Sequence, residues 1–278
     1  MRQLFTIDFE PISEILNSGI RRADVFMGVG LNASEQVPSI SHVLSRDTGP
    51  GVILVKEELS DQERNDVANE FGKWVRANGI RELLETFSVY LTEIYNVVFM
   101  VETAYGDGTK RIMPVSRFER LGINYQIEEL RRFIPISDER RDILKSLNQA
   151  RNCYAHRRGL VGAPDIDPAT NQFELRWLRL RYQILLEDGT ILPEEEMFGV
   201  YLEKGGVLQI QPVTERHQYS YGEELVIPKD ELKHLCLCVH IIGQSIGEET
   251  VNFALASGAT NIGEPSRPEA RAISAQDP

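Results

Sequence analysis

Apolar positions recur every three or four residues across 60–159, then every second residue past a Pro- and Asp-rich break at 162–170. Ser60-Asp61-Gln62-Glu63 has capping-box spacing, in which the serine oxygen and the glutamate satisfy opposing free amides. Val67, Phe71, Trp74 and Val75 form a first stripe. Ile80, Leu83, Leu84, Phe87, Leu91, Ile94, Tyr95 and Val98 continue it beyond Asn78-Gly79, where the helix breaks or bends. The pattern predicts helices over 61–76 and 80–104. Ser116 and Glu119 repeat the capping-box spacing, and Ile127, Leu130 and Phe133 predict a short helix that Pro135 ends. Ser137 caps a helix over 137–158, with Asp138 and Glu139 favourable in its first turn. Its buried stripe is Ile143, Leu147, Ala150 and Tyr154, and Gly159 stops it. A last helix is expected over 229–256.

Between these helices the chain reads as strands. Phe173, Leu175 and Trp177 alternate in one phase, and Leu178, Leu180, Tyr182, Ile184 and Leu186 in the other, which predicts a bulge or two packed faces. Asp188-Gly189 reads as a hairpin turn, and FGVYLE, VLQIQPV and ELVI are further strand candidates. In the first 55 residues LFTIDF and GVILV suggest short strands, with GVGLN and RDTGPG as turns. Gly28-Val29-Gly30 lacks the third glycine of a dinucleotide fingerprint. The expected fold class is α+β: a helical bundle with a small antiparallel sheet subdomain inserted before the final long helix. Its parts are an N-terminal mixed extension (1–58), the bundle (59–162 and 228–257), the sheet insertion (163–227) and a frayed tail (258–278).

Composition narrows the class. With 42% hydrophobic and 26% charged residues, the 278-residue chain can bury a full core. No run approaches the length of a membrane span, and Asp8 and Glu10 interrupt what a secretory leader would keep apolar, so the expected location is cytoplasmic with no membrane partner. Cys153, Cys236 and Cys238 cannot all pair in disulfides. His234, Cys236, Cys238 and His240 invite a zinc reading, but on a helix the two cysteines point about 160° apart. They are expected to be packing residues, with no metal and no cofactor. The net charge of −12 is unevenly spread: residues 110–158 hold twelve Lys/Arg against six Asp/Glu, a net of +6, leaving −18 elsewhere. That local excess suits a phosphate backbone.

Candidate chemistry concentrates in Arg151-Asn152-Cys153-Tyr154-Ala155-His156. Asn152 and His156 differ by about 40° in azimuth and share a helical face. Arg151 lies about 140° from His156 and must bend around to join them. A guanidinium clamps phosphate oxygens, an imidazole moves protons near neutral pH, and an amide orients either. Tyr154 points away from both polar partners, toward the core or an interface. Arg157 and Arg158, with Arg140 and Arg141 upstream, are candidate contacts to an RNA backbone.

The segment LNQARNCYAHRRG resembles the Arg-x4-6-His motif of the HEPN domains (higher eukaryotes and prokaryotes nucleotide-binding), whose catalytic branch often carries Asn after the arginine. Arg151, Asn152 and His156 are the matching positions. The resemblance covers residues 60–160 and a final helix near 230–255; its specific part is the hexamer in its helical frame. The first 55 residues and 165–228 carry no such resemblance. It implies a metal-independent endoribonuclease that leaves 2′,3′-cyclic phosphate ends. It further implies a homodimer with a composite active site, RNA as substrate, and a toxin or defence role with an inhibitory protein partner. A non-catalytic HEPN-like module binding RNA, nucleotide or protein is the alternative expectation.

Overall fold

The computed structural model describes residues 6–36, 59–109, 111–197, 199–202 and 204–260. In chain order these form α1 (Glu10–Glu35), α2 (Asp61–Tyr105), α3 (Val115–Phe118), α4 (Ile123–Leu130), α5 (Asp138–Arg157), β1 (Gln172–Leu185), β2 (Ile191–Pro193), a 3-10 turn at Glu194–Glu196, β3 (Val207–Ser220) and α6 (Lys229–Ala256). The class is α+β, and the antiparallel sheet lies in sequence between α5 and the last helix. No described helix is long and apolar enough to cross a membrane.

The capping box at Ser60 forms: its N–H donates to Glu63 Oε2 at 2.9 Å, and the Glu63 N–H donates to Ser60 Oγ at 3.3 Å. The two helices expected beyond it are one, because Asn78-Gly79 neither breaks nor ends α2. Gly79 is there for close approach. A Cβ at Gly79 would run into Met27 of α1, and one at Gly30 would sit 2.7 Å from Val75 Cγ2. The seam between these helices is therefore made of small residues, with Ala68 and Val75 buried. Phe71 and Trp74, expected inside, face outward at 40% and 54% exposure.

The N-terminal expectation is also corrected. GVGLN, read as a turn, lies within α1, and the described part of LFTIDF makes only a single bridge at Ile7. GVILV and RDTGPG lie outside the described residues. Ser116 does not cap: α3 starts at Val115 behind Pro114, whose fixed φ suits a helix entry.

The chain divides into two compact units. The first takes its described residues from Met1–Ser18, Thr86–Arg141 and His240–Pro278. Its centre is aromatic: Tyr95 stacks on Phe118 with centroids 3.9 Å apart, and Phe133 meets both Tyr95 and Phe253 edge-on. Buried Tyr90 donates to the Gly243 carbonyl at 2.7 Å.

The second unit takes Gly19–Glu85 and Asp142–Val239. In it β1 and β3 pair without interruption from Gln172↔Ser220 to Leu185↔Val207, and β2 pairs along the other edge of β1. The expected bulge is absent. The phase change at Trp177-Leu178 marks where β1 leaves the core: Phe173, Leu175, Trp177 and Leu178 are buried, and no later residue of the strand is. Pro212 is tolerated because β3 is an edge strand that need not donate outward there. Asp188-Gly189 makes the predicted turn, with Asp188 Oδ1 accepting from the Thr190 N–H at 2.9 Å. ELVI contributes only a bridge from Glu224 to Leu160, and the described part of FGVYLE forms no strand.

Candidate functional site

Helix α5 carries the hexamer, and both of its ends are fixed. Ser137 Oγ accepts from the Arg140 N–H at 3.3 Å, as a cap should. Ile143, Leu147, Ala150 and Tyr154 are buried, as the stripe predicts. Ser146 Oγ ties the helix to β1, accepting from the Arg176 N–H at 3.0 Å and donating to the Ile143 carbonyl at 2.8 Å. At the C-terminal end Arg158 and Gly159 both take left-handed φ, +54° and +84°, so the helix stops one residue before the glycine expected to stop it. The segment leaving the sheet clamps this end: Tyr154 Oη donates to the Leu225 carbonyl at 2.7 Å, and the Leu225 N–H donates to Gly159 O at 2.7 Å.

Within this frame Arg151 engages its neighbour Asn152. Its Nη1 donates to Asn152 Oδ1 at 3.0 Å, while its Nε is buried without a partner among the described residues. Asn148, three residues earlier and 8% exposed, likewise holds a buried Oδ1 with no partner among them. A buried donor and a buried acceptor without partners cost about 1–3 kcal/mol each. The His156 imidazole is exposed and makes no hydrogen bond or ion pair among the described residues. The helix thus presents a half-buried cation held on an amide, with an accessible imidazole one turn beyond the amide.

The surrounding arginines take different roles. Arg157 donates from Nε to Asp165 Oδ2 at 2.7 Å and from Nη2 to Oδ1, a bidentate pair whose carboxylate side chain is 1% exposed. The hydrogen-bonded carboxylate raises the guanidinium further above its ordinary value. Arg157 is therefore a structural clamp on the loop that carries Asp165. Arg141 pairs with Asp138 at 2.7 Å, and Arg140 Nη1 donates to Ser245 Oγ. Arg158 is exposed. Asp165 was missed from sequence because its partnership depends on a loop fold and not on helical spacing.

The cysteine and histidine cluster packs. Cys236 and Cys238 are buried free thiols, both pushed up to about 12 by burial; Cys153 is pushed up to about 11 by burial and by the Asp165 charge. Burial lowers His234 and His240. Among the described residues no three His, Cys, Asp or Glu side chains are grouped as a metal ion would need. At pH 8, a raised thiol pKa leaves little thiolate, which is the reactive form. All three cysteines are expected to resist a thiol-reactive disulfide reagent in the native chain and to react together in denaturant. Labelling of the native chain at the free-cysteine rate would contradict this placement.

Compared with known proteins, the chain matches no family model, no curated protein and no solved structure. The functional reading therefore rests on its own residues.

Proposed function

We propose that this chain is a metal-independent endoribonuclease of the HEPN type, with Arg151, Asn152 and His156 as its reactive set. The observation that carries the proposal is the Arg151–Asn152 hydrogen bond beside an exposed, unengaged His156 on one helix end. Cleavage needs a base for the 2′-hydroxyl proton, an acid for the departing 5′-oxygen and a cation for the phosphorane. As the 2′-oxygen bonds to phosphorus, an imidazole takes its proton. As the P–O5′ bond breaks, a second imidazole supplies a proton to the leaving oxygen. Arg151 clamps the non-bridging oxygens, and Asn152 holds the guanidinium toward them.

One protomer offers one such imidazole, so a two-fold homodimer that faces the two motifs supplies base and acid together. RNA is the substrate, and the products carry 2′,3′-cyclic phosphate and 5′-hydroxyl ends. The deciding experiment is a labelled-RNA assay in chelator, with wild type, Arg151→Ala and His156→Ala side by side and the product ends identified. Equal cleavage by all three refutes the assignment. Binding without cleavage favours a non-catalytic RNA-binding module instead. Mass measurement in solution tests the composite site: a dimer is expected, and a strict monomer at assay concentration removes the two-imidazole mechanism.

A further inference from the structure

The partly accessible face of α5 does not end at the hexamer. Lys145, Gln149, Asn152 and His156 follow one another at spacings of four, three and four, within about 60° of azimuth. All four are at least partly accessible, whereas Leu144, Leu147 and Ala150 between them are buried. Seven residues separate Gln149 from His156, about 10 Å of rise along one helix face. At the Lys145 end this face becomes one wall of a cavity of about 440 Å³. The opposing walls are the loop Asp165–Thr170 and the start of β1, with Gln218 of β3. The size suits one small ligand group.

The cavity is preformed. Arg157 and the Gly162 N–H both hold Asp165, the latter at 2.9 Å, and Gln149 Nε2 donates to the Asp165 carbonyl. The next turn is closed by Asp167 N–H to Gln172 O at 2.9 Å and Asn171 N–H to Asp167 O at 2.8 Å, with Asn171 at φ +56°. Asp167 itself is exposed to the cavity. Its Oδ1 accepts from the Ala169 N–H at 2.7 Å, and it joins no ion pair among the described residues.

The lining charges select the ligand. Four carboxylates (Asp142, Asp165, Asp167 and Glu174) line the cavity with two cations, Lys145 and Arg176, so an anionic group inside it is disfavoured. Asp165 is held by Arg157, and Glu174 and Asp142 by Arg176, which leaves Asp167 with acceptor capacity to spare. A carboxylate beside flat apolar lining from Ile166 and Pro168 fits a planar group that offers two adjacent N–H donors. Among the nucleobases guanine does so, through N1–H and the 2-amino group. Adenine and cytosine place a ring acceptor beside their amine, and uracil flanks its single N–H with carbonyls.

We infer that the cavity between α5, the loop Asp165–Thr170 and β1 is a guanine-binding subsite, with Asp167 reading the base edge, on the same helix face as the proposed cleavage site. This rests on the ribonuclease reading and adds to it a preference for RNA cut near a guanosine.

The test separates the two readings by measuring binding apart from cleavage. Calorimetry on the full-length His156→Ala chain uses guanosine 5′-monophosphate, with the inosine, adenosine, cytidine and uridine monophosphates as comparisons. The guanosine nucleotide is expected to bind at least about tenfold more tightly than the adenosine, cytidine and uridine nucleotides, as a bidentate base contact provides. Inosine monophosphate, which lacks the 2-amino group, falls between. Asp167→Asn keeps an oxygen for the Ala169 N–H and the turn it closes, yet is expected to remove the guanosine preference. Thr170→Trp, at an exposed loop position, is expected to fill the cavity and abolish binding, with unchanged thermal unfolding as the control for fold. Equal binding of all five nucleotides, or guanosine preference undiminished in Asp167→Asn, overturns the subsite whether or not RNA is cleaved. Preferential guanosine binding that both variants remove upholds it even if the wild type fails to cut RNA, an outcome that would refute the ribonuclease reading alone.

Discussion

Arg157→Ala is expected to destabilise the chain by about 3–5 kcal/mol, the cost of leaving a buried charge without its partner. The Asp165 side chain is 1% exposed, and its carboxylate accepts two hydrogen bonds from Arg157 and one from the Gly162 N–H. Removing the guanidinium leaves one backbone donor for a charge that water cannot reach. Removing the carboxylate is less costly, because the Arg157 side chain is 25% exposed and keeps access to water. Asp165→Asn is therefore expected to lose less than Arg157→Ala. Replacing both with apolar residues of similar size, Arg157→Met with Asp165→Leu, is expected to recover most of the single-mutant loss. Urea denaturation followed by circular dichroism measures all three. A wild-type midpoint for Arg157→Ala would show that the pair contributes nothing to stability.

The helices that were legible in the sequence carry their own end signals. Ser137 with Asp138 opens α5, Pro228 precedes α6, and Ser60 with Glu63 opens α2. What was not legible depends on packing between helices. The inner face of α1 runs through Leu16, Ala23, Met27 and Leu31, while Val25, Phe26 and Val29 point outward. Gly28 and Gly30, only two residues apart beside that stripe, look like a turn. Gly30 and Gly79 become intelligible only once Val75 and Met27 are seen against them. The helical frame of the hexamer was readable because its residues share one helix, on which Asn152 and His156 fall within about 40° of each other. The Arg157–Asp165 clamp and the cavity beside Gln149 were hidden because they join α5 to a loop and a strand, and spacing within one element says nothing of that. β1 shows the same limit: its change of phase is real in the sequence, but it reports the strand leaving the core and not a bulge.

The largest expected effect lies in the hexamer. His156→Ala is expected to reduce kcat for RNA cleavage by about 10²–10⁴-fold, the usual contribution of a positioned general acid or base. It should leave KM little changed, because the exposed imidazole has no binding partner to lose. Arg151→Ala is expected to lose about 10²–10³-fold, as for other donors aimed at developing charge. Arg151→Lys should not rescue it. Lysine keeps the charge but lacks the planar fork that reaches Asn152 through Nη1 and still carries further N–H donors for a phosphate oxygen. Asn152→Ala should cost less than either, since it removes the group that steers the guanidinium and not the guanidinium itself. If the three act on one transition state, Arg151→Ala with His156→Ala should be little worse than the more damaging single change. Single-turnover cleavage in chelator, with thermal unfolding as a control for fold, reads all of these. A double variant whose loss equals the product of the two single losses would show that arginine and imidazole act independently, and the shared-site mechanism would fall with that result.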